Sequence, residues 1–108
     1  MTSVTFNPES LPSLIPGALR VAIRSNSLIL PSQRVHARKV LLEDARSRLS
    51  GAQFVTSVRQ GNFTIVQVSL NGKIFTGVAK RNGIDVDNPL VGMRLAATRA
   101  LALAFNGG

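Results

Sequence analysis

The fold of this chain is decided by one stretch, Ile74-Phe75-Thr76-Gly77-Val78-Ala79-Lys80-Arg81-Asn82-Gly83-Ile84-Asp85-Val86-Asp87-Asn88-Pro89, and by the apolar segment that follows it to Phe105. This stretch predicts a strand, a polar loop and a helix. The strand pairs back on Phe63–Leu70 through Asn71-Gly72, because both residues of this dipeptide readily adopt the positive φ of a two-residue hairpin turn. Pro89 suits the first helical position, and Asp87 or Asn88 can cap the free N–H groups there.

The residues before this hairpin predict another helix and another strand. The helix begins at Ser32 and ends at Ser50-Gly51, with apolar residues on one side at Val35, Leu41, Leu42, Ala45 and Leu49. Three strands follow, at Gln53–Arg59, Asn62–Leu70 and Lys73–Lys80, with Gln60-Gly61 as the first turn. We therefore predict an α+β fold in the order α-β-β-β-α, with an N-terminal arm over 1–31 and a single domain over 32–108.

The two-residue turn at Asn71-Gly72 predicts the register of the second hairpin. It pairs four residues of one strand with four of the next: Val68 with Phe75, Val66 with Gly77, Ile65 with Val78, and Ser69 with Ile74. Both sides of this sheet are half apolar, so we expect one side to carry the two helices and the other to be partly covered by the arm or another chain. Gly77 lacks a side chain at a point where the helix or a ligand can approach closely.

The C-terminal helix is apolar on two sides. One stripe holds Leu90, Met93, Ala97, Leu101 and Ala104, and the opposite stripe holds Leu95, Ala102 and Leu103. A chain of 108 residues has few elements to cover both sides, so we expect a partner subunit and hence a homo-oligomer. Arg99 falls within the second stripe, where a buried guanidinium needs an anion. Because the chain has only five acids, a ligand is a candidate for that anion.

The composition favours an anionic partner over catalysis. The formal charge is +8, from 13 Lys and Arg against 5 Asp and Glu, which suits nucleic acid, a nucleotide or an acidic surface, although a solvated basic surface is the simpler alternative. There is no cysteine and a single histidine, His36, so we expect neither a metal nor another cofactor. No phosphate-binding glycine loop or nucleophile motif is present, and Asp85 and Asp87 suit helix capping. We therefore do not expect an enzyme, and no charge-free apolar run is long enough to span a membrane.

Candidate ligand contacts gather around the strand, loop and helix. Lys80 and Arg81 supply charge, Asn82 can read an amide or a base edge, and Asp85 can accept from ribose hydroxyls. Phe75 can stack on a base, and Arg99 can pair with phosphate. Each has an alternative role, with Phe75 in the core, Asn82 in a turn and Asp85 as a cap. Arg20 and Arg24 are four residues apart, so they share a face if the arm is helical. There they either contact a ligand or are exposed to solvent.

The order of a helix, three strands and a helix resembles the double-stranded RNA-binding domain. In that family, lysines at the start of the second helix contact RNA phosphates across the major groove. This chain has Asp85-Val86-Asp87-Asn88-Pro89 at that position. Since two carboxylates would repel the phosphate backbone, the resemblance extends to the fold and not to that mode of RNA binding.

A second resemblance covers about the last third of the chain. The pattern Thr76-Gly77-Val78-Ala79, then Asn82, Asp85, Gly92, Leu95-Ala96 and Arg99-Ala100, resembles the phage anti-Thoeris sponge proteins of the Tad type. It implies non-enzymatic sequestration of a cyclic ADP-ribose isomer at sites between paired subunits, in the cytoplasm of the infected bacterium. It also implies ligand contacts at Asn82, Asp85 and Arg99, with an N-terminal arginine, Arg20 or Arg24, and an aromatic contact, Phe75. Some members of that family form hexamers and hold cyclic oligonucleotides at separate sites.

Three readings of function follow. The first is a homo-oligomeric sponge, a dimer or a hexamer, for a cyclic nucleotide signal. The second is a nucleic-acid-binding module that uses the basic first helix, for which neutralising Arg34, Arg38 and Lys39 should abolish a strongly salt-dependent affinity. The third is a structural or protein-interaction subunit, for which neither that change nor the loss of Arg99 affects ligand binding.

Overall fold

The computed structural model describes residues 8–80 and 89–107. Its helices and strands are a 3-10 helix Pro8–Leu14, α1 (Ile15–Ser25), a 3-10 turn Pro31–Gln33, α2 (Arg34–Leu49), β1 (Gln53–Gln60), β2 (Phe63–Leu70), β3 (Lys73–Lys80) and α3 (Pro89–Gly107). The predicted α+β class and the order of α2, three strands and α3 are confirmed. Within these ranges, no helix combines the length and the apolar character needed to cross a lipid bilayer.

The three strands form one antiparallel sheet in the order β1-β2-β3. The predicted register of β2 and β3 is confirmed at all four pairs. Asn71 and Gly72 have φ of 54° and 80°, as the two-residue turn requires. The first turn lies one residue later than predicted, at Gly61-Asn62, because Gln60 still pairs with Phe63. A bulge in β1 also escaped prediction, since nothing in the local sequence marks it.

α3 packs on one face of the sheet, and its backbone comes very close to β3 at Gly77. A Cβ atom added to Gly77 would lie 1.9 Å from the carbonyl oxygen of Ala96 and 2.5 Å from the amide nitrogen of Ala100. The expected close approach at Gly77 is therefore confirmed, and its partner is the backbone of α3. Val66 and Val68 of β2 are fully buried beneath the same helix, which places the centre of the core at this contact.

The described part of the N-terminal segment belongs to the same core. In α1 the apolar residues recur every three or four positions, and Ala18, Leu19 and Ala22 are almost completely buried. The helix packs on α3 and α2, with the Nδ2 atom of Asn106 donating to the carbonyl oxygen of Ala22 at 3.2 Å. The sequence predicts that the arm or another chain partly covers the second sheet face; within the arm, α1 packs on α3 and α2 instead, and cover by another chain stays a prediction.

Two apolar surfaces are consequently exposed within the described chain. On the sheet face opposite the helices, Val58 and Val78 flank Ile65 in one cross-strand row, and both are more than 40% exposed. On α3, Leu95 and Leu103 are exposed while Ala102 is buried. Both sides of α3 carry apolar residues, as predicted, but in the single chain the leucine side chains on the outer side are exposed to solvent.

Candidate functional site

Among the described residues β3 is an edge strand of the sheet, and a groove lies beside it. Its volume is about 400 Å³, and α1, β3 and α3 each supply part of its wall. We call it the β3-edge groove; its lining residues are Val21, Ser25, Thr76, Gly77, Val78, Arg99, Ala102, Leu103 and Asn106. The valine, leucine and alanine side chains give it apolar walls, and four polar side chains interrupt them. This mixture is typical of pockets that bind small organic ligands.

Arg99 is held in this groove by the backbone of β3. Its Nη1 atom donates to the carbonyl oxygen of Val78 at 2.7 Å. In an antiparallel pair alternate residues direct both backbone groups away from the neighbouring strand, and on an edge strand those groups are unpaired. The guanidinium therefore partners one outward-facing carbonyl group, and its remaining donors are available to a ligand.

In the single chain the Arg99 side chain is exposed; its burial was predicted for an oligomer in which a partner subunit covers this side of α3, and that stays a prediction. Helical periodicity correctly puts Arg99 between apolar neighbours, but it cannot show that α3 lies at the margin of a three-stranded sheet. There the long side chain extends past the strand edge to solvent. Its charge is stabilised by the Val78 carbonyl group and by water, so the arginine does not require an anion in order to fold.

Other polar groups of the β3-edge groove are also fixed by hydrogen bonds. The Oγ atom of Ser25 donates to the carbonyl oxygen of Val21 at 3.0 Å, and the Nε2 atom of Gln67 donates to Oγ1 of Thr76 at 3.3 Å. Asn106 uses its amide nitrogen to contact α1, which leaves its side-chain oxygen as an acceptor. The groove thus offers donors and acceptors at defined positions between apolar walls.

The candidate residues of the strand and loop do not all meet at this groove. Phe75 is partly buried and packs against the core, with Gly107 beside its ring, so the predicted stacking role is not supported. It lies about 16 Å along β3 from Lys80, at roughly 3.3 Å per residue. The Lys80 ammonium lies 5.9 Å from the centroid of the Phe63 ring. The predicted ligand contacts at Arg81, Asn82 and Asp85 concern residues outside the described ranges.

Arg20 and Arg24 line a second pocket, on a different side of α1. They meet Arg34 and Arg38 of α2 there, around a volume of about 430 Å³. We call this the arginine pocket; Ile23, Pro31 and Val35 complete its lining. The sequence interpretation assigned the arginines of α1 to a nucleotide site and those of α2 to an RNA surface. The only sequence signal was the spacing of four residues within each pair, which puts the two arginines of a pair on one face of their helix.

Comparison of the chain with protein-family models, with curated proteins and with solved structures finds no match in any of the three. The functional interpretation therefore depends on the residues and on the geometry of the two pockets.

Proposed function

We propose that this protein binds and sequesters a cyclic nucleotide immune signal without cleaving it, and thereby inhibits a bacterial anti-phage defence in the cytoplasm of the infected host. The proposed ligand is a cyclic ADP-ribose isomer such as glycocyclic ADP-ribose, and the proposal includes cyclic oligonucleotides as a second class of ligand. The observation that carries this proposal is Arg99, tethered to β3 at one side of a groove with apolar walls.

The chemistry of such a ligand fits the β3-edge groove. A cyclic ADP-ribose isomer has an adenine ring, two riboses and a diphosphate, so it needs apolar surface, neutral hydrogen-bonding groups and positive charge. Val21 and Leu103 supply apolar surface, Asn106 an acceptor, and Arg99 the charge. The volume of about 400 Å³ lies within the range of small-molecule sites. Binding alone suffices for inhibition, since sequestration lowers the concentration of free signal.

We further propose that the protein acts as a homo-oligomer, with a second subunit on the outer side of α3. Val91, Leu95 and Leu103 are exposed there, next to the free edge of β3. A self-associating surface of this kind would bury the apolar stripe and bring a second copy to the β3-edge groove. A ligand held between two subunits would be shielded more fully from water than one in a single groove.

The oligomer can be tested with Leu95→Glu. Leu95 does not line either pocket, and a carboxylate at this position would be desolvated in both halves of a symmetric interface. We expect light scattering to give a multiple of 11.5 kDa for the wild type and 11.5 kDa for the variant. Val40→Glu, at an exposed apolar residue of α2, is the matched control and should retain the wild-type mass. A monomeric wild type would overturn the proposed assembly.

Thermal unfolding with a panel of ligands tests the function itself. The panel contains glycocyclic and canonical cyclic ADP-ribose, cyclic di- and trinucleotides, and a short RNA duplex at moderate salt. A ligand at 100 times its dissociation constant stabilises the fold by about 2.7 kcal/mol, which raises the unfolding midpoint by several degrees. We expect such a shift with one cyclic nucleotide, and that compound should be recovered intact after heating.

Two results would contradict this function. Recovery of a linearised or hydrolysed compound would indicate an enzyme. A shift with the RNA duplex alone, lost at high salt, would favour the nucleic-acid-binding module, because phosphate contacts weaken steeply as salt rises. Of the three residues of that alternative, Arg34 and Arg38 line a pocket with Arg20 and Arg24, whereas Lys39 is exposed outside it.

A further inference from the structure

The arginine pocket brings together four of the chain's 13 basic side chains. Arg20 and Arg24 lie one turn apart on α1, and Arg34 and Arg38 lie one turn apart on α2. Each helix therefore presents a pair of guanidinium groups to the same cavity of about 430 Å³. None of the seven lining residues carries a carboxylate.

The fold maintains this cluster at an electrostatic cost. Four like charges share one concave volume, where mutual repulsion is screened less than on an open surface. Arg34 and Arg38 lie in the first turns of α2, where the helix dipole disfavours positive charge, and the first turn contains no acidic residue. The one ion pair recorded in α2 joins Arg48 to Asp44, near the other end of the helix. Arg24 lies in the last turn of α1, where the helix dipole favours a positive charge, but no acidic side chain among the lining residues compensates the other three.

One donor of the cluster has no hydrogen-bond partner within residues 8–80 and 89–107. The Nε atom of Arg34 is buried and makes no hydrogen bond to the described residues. A buried donor that is unsatisfied destabilises the fold, and a bound water or ion is one of the ways in which native proteins satisfy such a group. An anion in the pocket would satisfy this N–H group, neutralise the repulsion and benefit from the positive end of α2.

We infer that the arginine pocket is a second anion-binding site, separate from the β3-edge groove, and that it takes a small molecule with two or more adjacent phosphate groups. One phosphate can contact the arginine pair of α1 and the next can contact the pair of α2, through the two-pronged geometry that guanidinium groups make with phosphate oxygens. The apolar side chains of Ile23, which is buried, and Val35, which is exposed, border the pocket.

The two sites are independent because they lie on different sides of α1. Val21 and Ser25 line the β3-edge groove, whereas Arg20 and Arg24 line the arginine pocket. These pairs are offset by one residue, which corresponds to about 100° around the helix. A substitution in one pocket therefore leaves the side chains of the other in place, and the two sites can be tested separately.

Titration calorimetry and thermal unfolding with inorganic triphosphate test the second site. The test variant is the double substitution Arg24→Gln and Arg38→Gln, which removes one guanidinium from each helix. The control is Lys39→Gln with Arg46→Gln, which removes the same charge from exposed positions of α2 outside the pocket. We expect the wild type and the control to bind triphosphate more tightly than orthophosphate. The test variant should bind at least about tenfold more weakly, as expected for the loss of charged hydrogen bonds.

Two further readouts keep the outcome unambiguous. Without ligand, the test variant should unfold at or above the wild-type temperature, because it relieves repulsion among the four arginines. Arg99→Ala should retain the full response to triphosphate, whatever happens to cyclic nucleotide binding in the β3-edge groove. The inference is overturned if the wild type does not bind triphosphate, or if the test and control variants lose affinity equally. It is also overturned if a short RNA duplex raises the unfolding temperature of the wild type but not of the test variant, and triphosphate raises neither.

Discussion

Gly77→Ala is expected to lower the unfolding midpoint by more than about 10 °C or to prevent folding. The added Cβ atom would lie within 3.0 Å of three backbone atoms of α3, at Ala96 and Ala100. A backbone cannot rotate away as a side chain can, so α3 must move off the sheet and open the contact above Val66 and Val68. Forced overpacking costs about 1–3 kcal/mol and occasionally more, and this geometry is at the severe end. For a domain of this size, each kcal/mol corresponds to roughly 4–8 °C.

The matched control for this substitution is Gly17→Ala in α1. A Cβ atom at Gly17 would lie 3.5 Å from Cγ2 of Thr98, which is an ordinary contact. Alanine is also favoured over glycine within a helix by about 0.5–1 kcal/mol. We expect this control to unfold at or slightly above the wild-type temperature. If Gly77→Ala and Gly17→Ala unfold at the same temperature, the short distance between β3 and α3 does not determine the stability of this fold.

Arg99→Ala is expected to abolish the stabilisation by cyclic nucleotide in thermal unfolding. Charged hydrogen bonds contribute about 1.5–3 kcal/mol, so the dissociation constant should rise roughly 10- to 150-fold. Without ligand, the loss should be about 1 kcal/mol or less, because the bond to the Val78 carbonyl oxygen is exposed to solvent. In an oligomer that buried Arg99 without a ligand, the variant would instead be as stable as the wild type or more so, because a buried charge without a partner is lost.

Arg94→Ala provides the control on the same helix. Arg94 is exposed, lies outside both pockets, and contributes the same charge. It should retain the mass of the wild type and the response to the cyclic nucleotide. If Arg99→Ala binds as tightly as this control, the β3-edge groove is not the nucleotide site. If both variants lose binding, the effect depends on overall charge and not on the position of Arg99.

Most of the hairpin could be predicted because its determinants are local. Asn71 and Gly72 adopt positive φ, and with a two-residue turn this leaves a single register for β2 and β3. The first hairpin was placed one residue too early, since only Gly61 of its turn has positive φ and the flanking residues are polar. The bulge in β1 depends on pairing with β2, so the sequence of β1 alone does not indicate it.

The candidate sites were less predictable because they combine residues distant in sequence. The loop contacts proposed at Asn82 and Asp85 remain predictions. The ligand role of Arg99 also remains a prediction, and its exposure in the single chain depends on the position of α3 at the sheet margin. The resemblance implies one site for Arg20 and Arg99, whereas in the single chain the two residues line different pockets.

The sequence by itself determined the order of α2, the three strands and α3, the register of the second hairpin, and a close approach at Gly77 without saying whether a helix or a ligand makes it. These depend on turn conformation, on helical and strand periodicity, and on the absence of one side chain, all of which act over a few residues. Only the tertiary structure decided that α1 packs beside α3, that Arg99 reaches the carbonyl group of Val78, and that arginines of α1 and α2 surround one pocket. These depend on the packing of apolar stripes between helices, which no local pattern of charges reveals.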